Sequence, residues 1–187
     1  MRKFEMFIIG LFLGWAATII FLNGLGFLER EDLGFTKQHE PTFDDLLDAI
    51  CQVESGGRAD AVGDGGAAVG AYQIHQIYVD DVNRIMRIWS DKYQSYIDNG
   101  RLTKAVPVQI DNEDVYQFSY EDRRNEQKSR AMTSIYLNHY GTAERLGYEP
   151  TFEDYARIHN GGLYGWKKQS TEKYWLKVKE RLKCVKR

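Results

Sequence analysis

Apolar residues recur at helical spacing in Phe43, Leu47 and Ile50, and the next position on that stripe is a carboxylic acid, Glu54. Thr42 is placed to cap this helix, with Asp45 three residues on to complete a capping box. Asp44, Asp45 and Asp48 lie toward the positive end of the helix dipole, and Gly56 and Gly57 end the helix. From Ala59 to Ala71 the chain is rich in glycine, and Asp64-Gly65 is a turn signal, which predicts a small β-hairpin beside the helix. Helical spacing resumes in Tyr78, Val82, Ile85, Met86 and Trp89, which reads as a core-facing helix. Between Ser90 and Ser119 the period is lost, Asn99-Gly100 marks a turn, and Pro107 argues against a long helix. The aromatic residues of that stretch, Tyr93, Tyr96, Tyr116 and Phe118, either fill space or stack on a ligand. A longer helix over about Tyr120 to Tyr140 places Met132, Ile135, Tyr136 and His139 on one face and stops at Gly141. Another opens at Thr151, carries Phe152, Tyr155, Ala156 and Ile158, and ends in His159-Asn160-Gly161-Gly162.

The N-terminus follows a different rule. No charge occurs from Met6 to Leu28, a length of helix that covers about 30 Å of hydrocarbon. Arg2 and Lys3 precede it, which predicts a cytoplasmic N-terminus and a chain that continues on the extracytoplasmic side, periplasmic or extracellular. No small-x-small cleavage site follows the run, so an uncleaved anchor is expected; cleavage or release would leave a secreted protein. The predicted organisation is therefore a short cytoplasmic segment (1–5), a transmembrane helix (6–28), a polar linker (29–41) and one globular α+β domain, mostly helical (42–187).

Composition adds a local asymmetry. The chain of 187 residues carries a net charge of −2, yet from Lys167 to Arg187 basic residues face only Glu172 and Glu180. A basic face suits anionic cell wall or phospholipid headgroups, and since no nucleic-acid-binding motif accompanies it, no nucleic-acid partner is expected. His39, His75, His139 and His159 show no zinc-ligand spacing with Cys51 and Cys184, so neither a metal nor a cofactor is expected.

The candidate chemistry rests on two acids. Glu54 projects from the core-facing side of the last helical turn, where desolvation and the negative end of the dipole both predict a raised pKa, as a proton donor needs. Asp64, in a wet glycine-rich turn, should stay ionised. Two carboxyls in opposed environments are what glycoside hydrolysis uses. Asp60 is the rival for the second role, and spacing does not separate it from Asp64.

Glu54-Ser55-Gly56-Gly57, Gly70-Ala71-Tyr72-Gln73-Ile74, the block Tyr155 to Gly162, and Tyr174-Trp175 together resemble the invertebrate-type lysozymes, or destabilases. The resemblance covers roughly Leu46 to Cys184, interrupted by the central segment. It implies a lysozyme-like fold and a peptidoglycan hydrolase that cleaves the β-1,4 bond between N-acetylmuramic acid and N-acetylglucosamine. It also implies that Glu54 is the general acid, that Asp64 is the second carboxylate if one residue is gapped, and that Ser55, Tyr72, Gln73, Ile74, His159, Asn160, Gly161 and Gly162 border the substrate groove. The family is dense in cysteine, whereas this chain has two, both at positions where the family has one. A single Cys51–Cys184 bridge is therefore expected, worth about 3 to 5 kcal/mol. The mildly apolar N-terminal span resembles the signal-anchor-release segments of phage endolysins, and a permanent anchor is the other reading. The expected partners are peptidoglycan and, through that span, a membrane, with the domain a monomer. Three other functions stay open: a catalytically silent glycan-binding protein, a lytic transglycosylase, and a destabilase-type isopeptidase with Ser55 as nucleophile.

Overall fold

The computed structural model describes residues 40–98 and 108–184, apart from the side chains of 93–98. The apolar run 6–28, the segment before it, nearly all of the linker, Asn99-Gly100 and Pro107 lie outside the described residues. Among those described, no helix is long and apolar enough to cross a membrane.

Helix α1 (Phe43–Ser55) starts as its sequence predicts. Thr42 Oγ1 accepts from the Asp45 amide at 3.2 Å, and the Asp45 carboxylate accepts from the Thr42 amide at 2.8 Å. It ends where Gly56 turns left-handed, at φ 68°, and its amide reaches back to the Gln52 carbonyl at 3.1 Å. Leu47 and Ile50 are buried, and Phe43 packs against the same core.

The hairpin follows, with β1 (Val62–Gly63) antiparallel to β2 (Ala68–Val69) in the register Val62 to Val69. Its connection is a short 3-10 turn, Asp64–Gly66, in which Asp64 itself takes a left-handed φ of 49°. The connection between the strands spans Asp64 to Ala67. Gly70 closes the hairpin base, its amide donating to the Ala61 carbonyl at 2.8 Å. A β-carbon there would lie 1.7 Å from the Arg123 carbonyl oxygen, so glycine is required by space as well as by its φ of 83°.

Helix α2 (Gln76–Asp98) buries Val79, Val82, Ile85 and Met86. It runs through Ser90–Asp98, where the sequence reading lost the helical period. A second hairpin, β3 (Val108–Ile110) with β4 (Glu113–Val115), turns through Asp111 and Asn112, both at positive φ. Phe118 then locks onto α2: Asn83 accepts from its amide at 2.8 Å and donates to its carbonyl at 2.9 Å. Phe118 is thereby a core residue rather than a stacking platform.

The long helix expected over Tyr120–Tyr140 is two elements. A 3-10 segment, Tyr120–Arg124, is followed by α3 (Glu126–Tyr140), because Asn125 is extended and caps the new helix through the Lys128 amide. A short helix α4 (Ala143–Leu146) leads to α5 (Phe152–Gly161), which Thr151 and Asp154 open with a second capping box. Helix α6 (Glu172–Cys184) buries Tyr174, Val178 and Leu182 on one stripe. Helices α1, α3, α5 and α6 pack on one another, and α2 on α3, around one hydrophobic core. The architecture is α+β and mostly helical, with its strands confined to two small hairpins.

The expected disulfide is not formed. Cys51 is a buried free thiol on the core side of α1, whereas Cys184 is exposed and turned to the Glu180 carbonyl in the last turn of α6. The two helices do pack together, but by their apolar faces.

Candidate active site

A cleft of about 1020 Å³ lies where α1, the first hairpin, the start of α2 and the chain after α5 meet, and both Glu54 and Asp64 line it. Glu54 hangs from the last turn of α1 with its side chain 18% exposed. Its Oε1 is 3.5 Å from Nε2 of His159, whose side chain is 5% exposed. The imidazole is fixed by rings around it, with centroids at 5.8 Å to Tyr78, 6.4 Å to Tyr174 and 6.5 Å to Tyr72.

Burial pushes the Glu54 carboxyl up, as the sequence suggested. The hydrogen bond and charge of His159, then the Tyr174 hydroxyl and the Lys177 ammonium on α6, oppose it and prevail. The carboxyl is held below the ordinary 4.5, which corrects the expected direction. The missing ingredient was a cation delivered by a distant helix. Burial, then the Glu54 charge, in turn drives the Tyr174 phenol well above its usual range. The Tyr174 hydroxyl faces the carboxylate without closing a hydrogen bond of ordinary geometry, and the Tyr78 hydroxyl and His159 Nδ1 are likewise buried without a partner among the described residues.

Asp64 has the opposite environment. Its side chain is 71% exposed on the hairpin turn, and its Oδ2 lies 3.4 Å from Nε2 of His75, itself 44% exposed. Asp60 is exposed and does not line the cleft, so the structure separates two acids that the sequence could not. One carboxyl is shielded and the other is wet.

The remaining expected groove residues divide. Gln73, Ile74, His159, Asn160, Gly161 and Gly162 line the cleft. Ser55 and Tyr72 do not, for reasons the hydrogen bonds make plain. The Ser55 hydroxyl is buried, donates to the Ala71 carbonyl at 2.8 Å and accepts from the Arg58 amide at 3.0 Å. It ties the end of α1 to the hairpin and is not presented as a nucleophile. Tyr72 is buried and its hydroxyl accepts from Arg130 at 3.1 Å, on the side where Arg130 also holds Asp44 and Asp48. Gly161 is small for an internal reason too, since a β-carbon there would sit 2.6 Å from Thr171 Cγ2.

His75, Tyr78, Tyr174 and Lys177 were not singled out from sequence as parts of the site. Tyr174 had a usable signal, the stripe it shares with Val178 and Leu182; His75 had none, because the turn before α2 alone aims it at Asp64. Farther along the cleft, Arg84 donates to Asp81 and to the Tyr140 hydroxyl, which donates to Asp81 at 2.6 Å. Among the described residues no group of three or more His, Cys, Asp and Glu side chains is placed to hold a metal ion. Tyr116 is exposed and lies outside the cleft. No family model matches this chain. No curated protein matches it either.

Proposed function

We propose that this protein is a glycoside hydrolase that cuts β-1,4-linked amino-sugar polymer of the peptidoglycan type, as its resemblance to invertebrate-type lysozymes implies. Glu54 protonates the glycosidic oxygen from the fraction in which its carboxyl, held below the ordinary value, carries the proton, and Asp64 stabilises or captures the oxocarbenium centre that develops as the bond breaks. The observation that carries the reading is that a shielded and a wet carboxyl line the same open cleft, with Asn160 and the Gly161-Gly162 backbone on its wall. Asn160 is exposed there and can both donate to and accept from an acetamido group. The apolar run 6–28 would hold the domain as a monomer at the extracytoplasmic face of a membrane, close to such a wall.

The test is digestion of purified peptidoglycan followed by mass spectrometry of the fragments. New reducing ends with the wild-type protein, and a loss of at least about 10²-fold with Glu54→Gln, support hydrolysis by this acid. Anhydro sugars would convert the assignment to a lytic transglycosylase, and wild-type binding without fragments would leave a glycan-binding protein. Unchanged turnover by Glu54→Gln removes the acid role.

A further inference from the structure

We propose that Glu54 and His159 hold a single proton between them, and that His159 is the positioning residue that recharges Glu54 during turnover. The inference rests on the acid role proposed for Glu54 and says what regulates it. Three features carry it. The buried imidazole's Nε2 lies 3.5 Å from Glu54 Oε1. Its other nitrogen, Nδ1, is buried without an acceptor among the described residues, so a cationic ring has no second anchor there for its proton. The carboxyl is also shielded, so the two groups face each other in a site largely closed to water.

Such a pair keeps its proton mobile. With one proton for two sites, the ring carries it whenever Glu54 is an anion, and the ring is neutral whenever Glu54 is the acid. When Glu54 gives its proton to the departing sugar oxygen, the carbon–oxygen bond breaks and the leaving group departs as an alcohol. The water that completes hydrolysis loses a proton, which returns to the pair, so the balance closes with no other reactant. The groups that face the pair are Tyr174 and Lys177 from α6, Tyr78 from α2, and Tyr72 from the turn before it. Tyr136 of α3 stacks on Tyr78 at 4.0 Å and closes that side. Of these, Lys177 is the only cation, and it lies on the exposed side of α6.

His159→Gln keeps a donor in place of Nε2 and removes the titrating ring. The alkaline limb of the kcat profile should move to lower pH by about one unit, the scale on which coupled sites interact. A lower plateau with the limb unmoved means that His159 only supports the fold, and a limb moved to higher pH reverses the assignment; either overturns the proposal. Should that variant not fold, Glu54→Gln gives a second reading that needs no turnover. The wild-type His159 ring resonances should show a step where Glu54 titrates, and Glu54→Gln should erase it. Ring signals identical in the two proteins across pH overturn the shared proton, whatever the peptidoglycan digestion shows.

Discussion

Glu54 links its proposed acid role to stability, because a carboxyl held below its ordinary value stabilises the fold in its charged form. The sign follows from that direction. The stabilisation is present above the unfolded value, near 4.5, and is lost as pH falls through the lower folded value. Thermal melts of wild type and Glu54→Gln should therefore converge, relative to their difference at neutral pH, as the buffer is taken below 4.5. A difference that does not change with pH refutes the depressed carboxyl. The second acid is tested differently, since Asp64 and Asp60 are both exposed and neither replacement threatens folding. Asp64→Asn should reduce kcat by about 10²-fold or more, and Asp60→Asn should leave it near wild type. The reverse ranking in rates of reducing-end release moves the role to Asp60. The shielding of Glu54 and the exposure of Asp64 were legible in the sequence, because a helical stripe and a glycine-rich turn are local signals, whereas spacing alone did not tell Asp64 from Asp60. The charge state of Glu54 was not, because His159 and Lys177 reach it only through the packing of α5 and α6 against α1.

At the scale of the elements, the hairpin that carries Asp64 is held by a buried arginine. Arg123 donates to the carbonyls of Tyr120 at 2.7 Å, Ile74 at 3.2 Å and Ala67 at 3.3 Å, so one guanidinium fastens the strands to the segment before α3. Hydrogen bonds to charged groups contribute about 1.5–3 kcal/mol each, and a carbonyl left buried without a donor adds its own cost. Arg123→Ala should lose about 3 kcal/mol or more by denaturant unfolding, and kcat should fall through Asp64 while the Glu54 titration is unchanged. Arg123→Lys keeps the charge without the planar fork and should recover only part of either. A wild-type rate in Arg123→Ala would separate the hairpin's position from catalysis. Nothing near Arg123 in the sequence announces this staple, since its three acceptors are backbone carbonyls, two of them far away along the chain. Both capping boxes, at Thr42 and Thr151, were legible for the opposite reason: donor and acceptor lie three residues apart. The continuation of α2 past Ser90 is not legible in the sequence, because those turns carry no apolar stripe. Ser90, Asp91 and Lys92 are exposed there, and a helix projecting from the core needs no stripe on those turns. The split at Asn125 was missed because the apolar face of α3 begins beyond it, while asparagine favours the cap that it makes.

Across the whole molecule, the open question in the sequence was what joins the first helix of the domain to the last. A Cys51–Cys184 bridge would have contributed about 3 to 5 kcal/mol. Helices α1 and α6 instead pack on each other and bring Leu46, Ile50, Val178 and Leu182 into one core, each worth about 1.5–3 kcal/mol when fully buried. The same contact carries Tyr174 and Lys177 to Glu54, so the packing that joins these helices also builds the surroundings of that carboxyl. The thiols report on this directly. Cys184 is exposed, while the Cys51 thiol is buried and pushed up to about 11, by burial first and then by the nearby Glu126 and Asp48. Without reductant, alkylation of the native protein should therefore label Cys184 alone, and unfolding should expose Cys51 as a second free thiol. Reductant should leave the melting temperature unchanged. Failure to label either cysteine in the unfolded, unreduced protein would establish the bridge and overturn the account in which apolar packing alone joins α1 to α6.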